Sequence, residues 1–189
     1  MEHDIVLTHR AITLRPLQAE DAPAFRALVD SDSWAGMPLP LPATDEAMSD
    51  HLATIVTANA SYAFAVEQNG KLVGRTTFSG IKPNVRVDIG NTIYARTVWG
   101  STVNPTAKLL LMEYAFDALN AQRVALRCDS RNTRSHRAIA RLGAKYEGTL
   151  RNYRPAADGT IASVDYFSIT PDEWPEVRTQ LEQRANSAT

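Results

Sequence analysis

The stretch Val85–Gly143, VRVDIGNTIYARTVWGSTVNPTAKLLLMEYAFDALNAQRVALRCDSRNTRSHRAIARLG, switches twice between the two-residue rhythm of a strand and the 3.6-residue rhythm of a helix. Val85–Tyr94 reads as a strand. Asn104-Pro105 then opens a helix, with Asn104 as cap and Pro105 at the first helical position, where a missing N–H is harmless. Leu109, Met112, Phe116 and Leu119 supply its apolar anchors. Val124–Cys128 reads as a second strand. Residues 132–142 read as a second helix, stopped by Gly143, which accepts the left-handed backbone of a helix end.

Outward from this stretch, hairpins dominate. Tyr62–Val66 and Leu72–Phe78 flank Asn69-Gly70, and Tyr146–Leu150 and Ala162–Ile169 flank Asp158-Gly159, both tight-turn pairs. Residues 5–17 alternate as one strand ending near Pro16. Asp21-Ala22-Pro23 opens a helix striped by Phe25, Leu28 and Val29, and Thr44 caps another with Asp45 and Glu46 in its first turn. Residues 33–43 form a stiff loop with three prolines. Pro171 begins a terminal amphipathic helix with Trp174, Val177 and Leu181 on its stripe. The order β-α-α-β-β-β-α-β-α-β-β-α predicts a single α+β domain over 1–189, built on one mixed sheet.

Composition narrows the function. The chain has 189 residues, 44% hydrophobic and 22% charged, with a net charge of −1, so no global excess of positive charge points to nucleic acid or a membrane surface. Cys128 is the single cysteine, which rules out an internal disulfide and a cysteine-rich metal site, and the four histidines show no metal-ligand spacing. The start, Met1-Glu2-His3-Asp4, does not read as a signal peptide, and no apolar run approaches membrane-spanning length. A cytoplasmic location is expected.

Three places can carry chemistry. The first is the junction Trp99–Lys108, where a helix start exposes unpaired N–H groups and small residues let an anion approach. Lys108 near that start opposes the helix dipole unless a phosphate is bound there; the bland alternative is a capped helix with a solvated lysine. The second is Asp129–Arg137, also between strand and helix. Asn132 suits a cap, Ser135 falls in the first turn, and Arg134, Arg137 and Arg141 share helical spacing and offer a basic face. A Cys128–His136 nucleophile is disfavoured, because Cys128 lies in a strand expected to be buried. The third is Asp88, a strand carboxylate placed to take a proton from an amine if it faces a cleft, and an ordinary solvent-facing aspartate if it does not.

Taken together, Asn132-x-x-Ser135 followed by Leu142-Gly143-Ala144, with Asp88-Ile89-Gly90 and Trp99-Gly100 upstream, resembles the GNAT superfamily of N-acetyltransferases over about residues 10–170. The form of the Asn132–Ala144 segment is similar to the ribosomal-protein alanine acetyltransferase branch. The resemblance implies a mostly antiparallel sheet with a V-shaped opening between two parallel strands, here those ending near Tyr94 and Cys128, that holds acetyl-coenzyme A as acetyl donor. It implies a pyrophosphate site on the backbone of Ser101, Thr102, Val103, Asn104, Thr106 and Ala107, with Lys108 and Arg137 as cofactor contacts. Asn132 would touch the pantetheine arm, Ser135 would reprotonate the thiolate, and Asp88 or an ordered water would act as base. Two departures stand out. Thr102 and Asn104 occupy positions where small residues usually sit, and Ile139 replaces the tyrosine acid found elsewhere in the superfamily.

The expected reaction is acetyl transfer to a primary amine, on a small molecule or a peptide N-terminus, without a metal. Two other readings stay open: a toxin that acetylates charged transfer RNA, against which the near-neutral charge argues, and a coenzyme A-binding module without turnover. The loop Ser33–Ala43, with Trp34 and Met37, is expected at the acceptor mouth. The terminal stripe can serve either a homodimer or the chain's own sheet.

Overall fold

In the computed structural model, which describes residues 3–187, eight strands form one sheet in the order β1-β2-β3-β4-β5-β6-β8-β7. The strands are β1 (Leu7–His9), β2 (Ile12–Pro16), β3 (Tyr62–Gln68), β4 (Lys71–Lys82), β5 (Arg86–Tyr94), β6 (Val124–Asp129), β7 (Lys145–Pro155) and β8 (Ile161–Ile169). The helices are α1 (Ala22–Leu28), α2 (Asp45–Val56), α3 (Val103–Glu113), α4 (Thr133–Ala140) and α5 (Trp174–Asn186). Every neighbouring pair is antiparallel except β5 and β6, which are parallel. This is the expected α+β architecture, with the parallel pair where the family resemblance implies it. Residues 1–2 and 188–189 of the expected single domain, including the start of the Met1–Asp4 segment, lie outside the described residues.

The expected first strand is two. Arg10, at φ 52°, turns the chain between β1 and β2, which pair with each other. Arginine at a left-handed position gives no turn signal in sequence. The two hairpin turns at Asn69-Gly70 and Asp158-Gly159 are as expected, although β7 extends to Pro155, well past Leu150.

Two apolar clusters lie on opposite faces of the sheet. One gathers Phe25, Trp34, Met48 and Leu52 from the α1–α2 side. The other joins Phe64, Phe78, Val87, Ile89, Leu126 and Cys128 to α3, to Ile139 and Leu142 after the start of α4, and to α5. Trp174, Val177 and Leu181 are buried in this second cluster, and Trp174 stacks on Phe116 at 5.1 Å. The stripe that suggested a homodimer therefore faces the chain's own core. Among the described residues no helix is long and apolar enough to cross a membrane.

Candidate active site

The sheet opens at its centre. β5 and β6 are paired only from Val87/Val124 to Ile89/Leu126. Beyond that point Gly90–Tyr94 bonds to β4 alone, and Arg127–Asp129 to β8 alone. A bulge in β5 begins at the divergence. Between the pairs Thr77/Gly90 and Arg75/Ile93, the single residue Thr76 faces both Asn91 and Thr92, and Asn91 takes φ 48°. Such a bulge ends regular pairing and bends the strand.

The junction from β5 to α3 forms one wall. The helix begins at Val103, two residues before the first helical position expected from Asn104-Pro105, and Thr102 is its N-cap without a side-chain bond. Ser101 does the capping instead: its Oγ accepts from Val103 N at 3.2 Å and donates to Val98 O at 2.7 Å. Thr106 N donates to Thr102 O at 3.0 Å, and Pro105 has no N–H. The N–H groups of Gly100, Thr102 and Asn104 make none of the described hydrogen bonds. They are the donors left for an anion at this helix start. Thr106 and Ala107 are buried within α3.

Lys108 corrects the expectation of a phosphate contact. Nine of the eleven α3 residues are buried, so this helix has no solvent face at Lys108. The side chain turns inward, and Nζ donates to Thr92 Oγ1 at 2.8 Å and Thr76 Oγ1 at 3.2 Å. Burial alone pushes the amine down to about 7. In the unfolded chain the same amine titrates near 10.5. Between these values the unfolded state binds more protons, so stability is expected to rise with pH across that window. Denaturant titrations at several pH values should show this rise in the wild type and its absence in Lys108→Met, which has no proton to release.

The start of α4 forms the other wall. Asn132 is the N-cap, as expected. Its Oδ1 accepts from Ser135 N at 3.0 Å, and its Nδ2 donates to Ala35 O at 3.0 Å. The Ser135 hydroxyl lies close enough to the Cys128 thiol, at the end of β6, to influence its proton. Desolvation, aided by Asp165, pushes that thiol up to about 11, which makes it a poor nucleophile. His136 Nδ1 donates to Asp165 Oδ2 at 2.8 Å, and Thr149 Oγ1 donates to Asp165 Oδ1 at 2.6 Å. Cys128, His136 and Asp165 bring possible ligand atoms within 4.8 Å of one another. The Asp165 carboxylate is already engaged by His136 and Thr149, so these residues read as a hydrogen-bonded group. Arg137 is exposed, and Ile139 is buried in the core.

Asp88 lies in the closed part of the β5–β6 pair, opposite Ala125. Its neighbours Val87 and Ile89 point into the α3-side core, so Asp88 points to the other face. Its carboxylate is 3.7 Å from Arg86 and 3.8 Å from Arg127. Ser135 sits with α4 on the α3 side. The sheet thus separates the two expected catalytic residues, one on each face beside the opening.

The loop between α1 and α2 crosses the mouth. Trp34, expected to line it, is 3% exposed and anchors the loop through Nε1 to Leu39 O at 2.8 Å. Met37 does line a cleft of about 600 Å³, shared with Asp32, Asp129, Arg131, Asn132 and Asp158. Its floor is ordered by charge: Arg131 Nη2 meets Asp129 at 2.7 Å and Nη1 meets Asp158 at 3.0 Å. The Arg131 guanidinium, with its backbone N–H, holds Asp129 below the usual carboxylate range.

The chain shares sequence and overall fold with known proteins. Residues 11–145 match the acetyltransferase (GNAT) domain model. The chain belongs to the GNAT acetyltransferase family. A curated relative, an uncharacterised N-acetyltransferase p20 of Bacillus licheniformis, is 29% identical over 114 residues, 60% of this chain. The chain spans 63% of that relative's length. A T. thermophilus protein assigned to the acetyltransferases is 32% identical, with a TM-score of 0.90 over 97% of this chain and 98% of its own. RimJ of Mycobacterium smegmatis, solved with CoA-disulfide, shares the fold at 21% identity and TM-score 0.76, over 95% of this chain and 92% of its own. GNAT enzymes use acetyl-coenzyme A.

Arg96 and Asp32 escaped the sequence reading, and so did the meeting of Trp99 with Arg134. The Trp99 ring lies between two guanidinium groups, Arg134 at 4.0 Å and Arg96 at 5.4 Å from its centroid. Arg96 pairs with Asp30 at 2.6 Å and also with Asp32, and Arg134 donates to Asp32 O at 3.1 Å. The β5–α3 junction, the α1–α2 loop and α4 are thereby tied together across the mouth. The available signal was Trp99, a large ring next to a glycine before a helix; its partners are far away in sequence.

Proposed function

We propose that this protein transfers the acetyl group of acetyl-coenzyme A to a primary amine, on a small molecule or a peptide N-terminus, by direct attack. The observation that carries this reading is the opening between β5 and β6, walled by two helix starts. One offers the free N–H groups of Gly100, Thr102 and Asn104, and the other presents Asn132 and Ser135. The free N–H groups and the α3 dipole suit a pyrophosphate, and the opening suits an extended arm, so the residues present fit the cofactor. When bound, acetyl-coenzyme A supplies the activated acyl thioester.

The protein's own groups divide the remaining work. Asn132 Nδ2, now bonded to Ala35 O, offers a donor to an amide of the arm. Asp88 lies on the face away from α3 and accepts a proton from the incoming ammonium, directly or through water. Ser135, at the first turn of α4, donates a hydrogen bond to the departing thiolate, where the helix dipole also favours negative charge. Base and acid on opposite faces of the sheet suit an acceptor that enters from one side and a thiol that leaves on the other. The cleft lined by Asp32, Met37, Arg131 and Asn132 lies beside the α4 start and offers space for the acceptor.

The test is a thiol-release screen with acetyl-coenzyme A and separate panels of small amines, N-terminal peptides and charged transfer RNA. Release driven by an amine or a peptide, with acetyl recovered on the acceptor, supports the reading. Release only with charged transfer RNA transfers the assignment to that class. Binding without release on any panel leaves a coenzyme A-binding module.

A further inference from the structure

The β5 bulge is gripped from both faces by buried cations. On the α1–α2 side Arg75, 1% exposed, donates Nη1–H to Asn91 O at 3.2 Å and lies 5.4 Å from the Phe25 ring centroid. His51 Nε2 is 3.3 Å from Arg75 Nη2, and desolvation, with Arg75 beside it, lowers His51 to about 4. The neutral imidazole is therefore an acceptor for the guanidinium. On the α3 side Lys108, 4% exposed, donates to Thr92 and Thr76, whose hydroxyls are 2.7 Å apart. Thr92 Oγ1 reaches back to Gly90 O at 3.4 Å.

Neither cation has a carboxylate partner among the described ion pairs, and both act on the three residues Gly90–Thr92 where β5 leaves β6. A buried charge without a counter-ion is destabilising, and an apolar side chain of similar volume is commonly better tolerated. A lysine kept there for stability alone is thus poorly explained. Its position supplies another reason. In a medium of low dielectric a fixed positive charge acts strongly on any negative charge that develops nearby, with no reorganisation at the moment of reaction.

We propose that Lys108 is a positioning residue for acyl transfer, holding the β5 bulge through Thr76 and Thr92 and, in its protonated form, laying an uncompensated positive charge beneath the thioester carbonyl. This inference rests on the placement of acetyl-coenzyme A in the β5–β6 opening. Lys108 acts through the bulge and at a distance; it does not touch the carbonyl. As the amine attacks, the carbonyl oxygen gains electron density, and the charge under the bulge stabilises that state more than the ground state.

The experiment compares wild type, Lys108→Met and Thr92→Val. Acetyl-coenzyme A labelled with carbon-13 at the acetyl carbonyl is bound to each, and its carbonyl stretch is read by isotope-edited infrared spectroscopy. Affinity is measured by calorimetry, and kcat with the best acceptor from the thiol-release screen. In Lys108→Met the carbonyl should move back toward its frequency in free acetyl-coenzyme A, and kcat should fall about tenfold or more. Affinity should stay within roughly threefold, and the melting temperature should hold or rise because the unpaired charge is gone. Thr92→Val, which keeps the lysine but removes its shorter hydrogen bond, should move frequency and kcat the same way by less, and it carries the test if Lys108→Met fails to fold. Unchanged carbonyl frequency and kcat in Lys108→Met overturn the proposal. So does a loss of activity that merely follows a loss of affinity. Wild-type protein that binds no acetyl-coenzyme A removes the underlying cofactor reading, a different failure seen before any variant is made.

Discussion

Asp88→Asn is expected to lower kcat by about 10²-fold or more, with acetyl-coenzyme A affinity nearly unchanged. An acceptor amine arrives mostly protonated at neutral pH, and only the neutral amine attacks. Asp88 is the carboxylate on the outer face of the closed β5–β6 pair, held between Arg86 and Arg127 at 3.7 and 3.8 Å. The asparagine keeps the volume and the hydrogen-bonding edge, and loosely spaced ion pairs of this kind add little to stability, so the variant should fold. The pH–rate profile gives the sharper readout. With Asp88 as base, the variant loses the wild-type profile and its rate follows the fraction of neutral amine, rising with pH through the amine's own range. An unchanged profile with wild-type kcat assigns the proton to water and removes Asp88 from the mechanism.

Ser135→Ala is the second large effect. Its loss should reduce kcat by about 10²-fold and spare acetyl-coenzyme A binding, because the hydroxyl is needed only as the thiolate gains charge. The backbone role is untouched, since Asn132 caps α4 through Ser135 N, which alanine retains. The partner left behind is Cys128, whose thiol meets the serine hydroxyl and is a weak hydrogen-bonding group. Acetyl donors with a less basic leaving group, such as acetyl esters of acidic thiols, should be less sensitive to the substitution. An equal loss with every donor would point to distortion of the α4 start.

The fold was readable because its turns and caps carry local signals. Asn69-Gly70 and Asp158-Gly159 set hairpins, Thr44 and Asn132 cap α2 and α4 as their side chains predict, and Gly143 ends the α4 segment at φ 89°. Arg10 carried no such signal, and the β1–β2 turn was missed for that reason. In the site, placement follows from backbone position: Asn132, Ser135 and the junction at Ser101–Asn104 all flank the opening. Lys108 failed for an identifiable reason. A lysine near a helix start implies a phosphate contact only when that helix has a wet face, and α3 is covered by β4 and β5 on the side where Lys108 points. The α3 start lies two residues earlier than expected because Ser101, not Asn104, supplies the capping oxygen. Asp32, Arg96, Trp99 and Arg134 meet only in space, from three separate segments, and no local pattern announces such a meeting.

The account turns on acetyl-coenzyme A occupying the opening between β5 and β6. Its most direct test is thermal unfolding of the wild-type protein with and without acetyl-coenzyme A in excess. Binding to the folded state alone stabilises it by about 2.7 kcal/mol at a hundredfold excess over Kd. A concentration-dependent rise in Tm is the predicted result, retained with desulfo-coenzyme A because the contacts at Gly100, Thr102, Asn104 and Asn132 do not involve sulfur. No change in Tm at millimolar acetyl-coenzyme A would contradict the account.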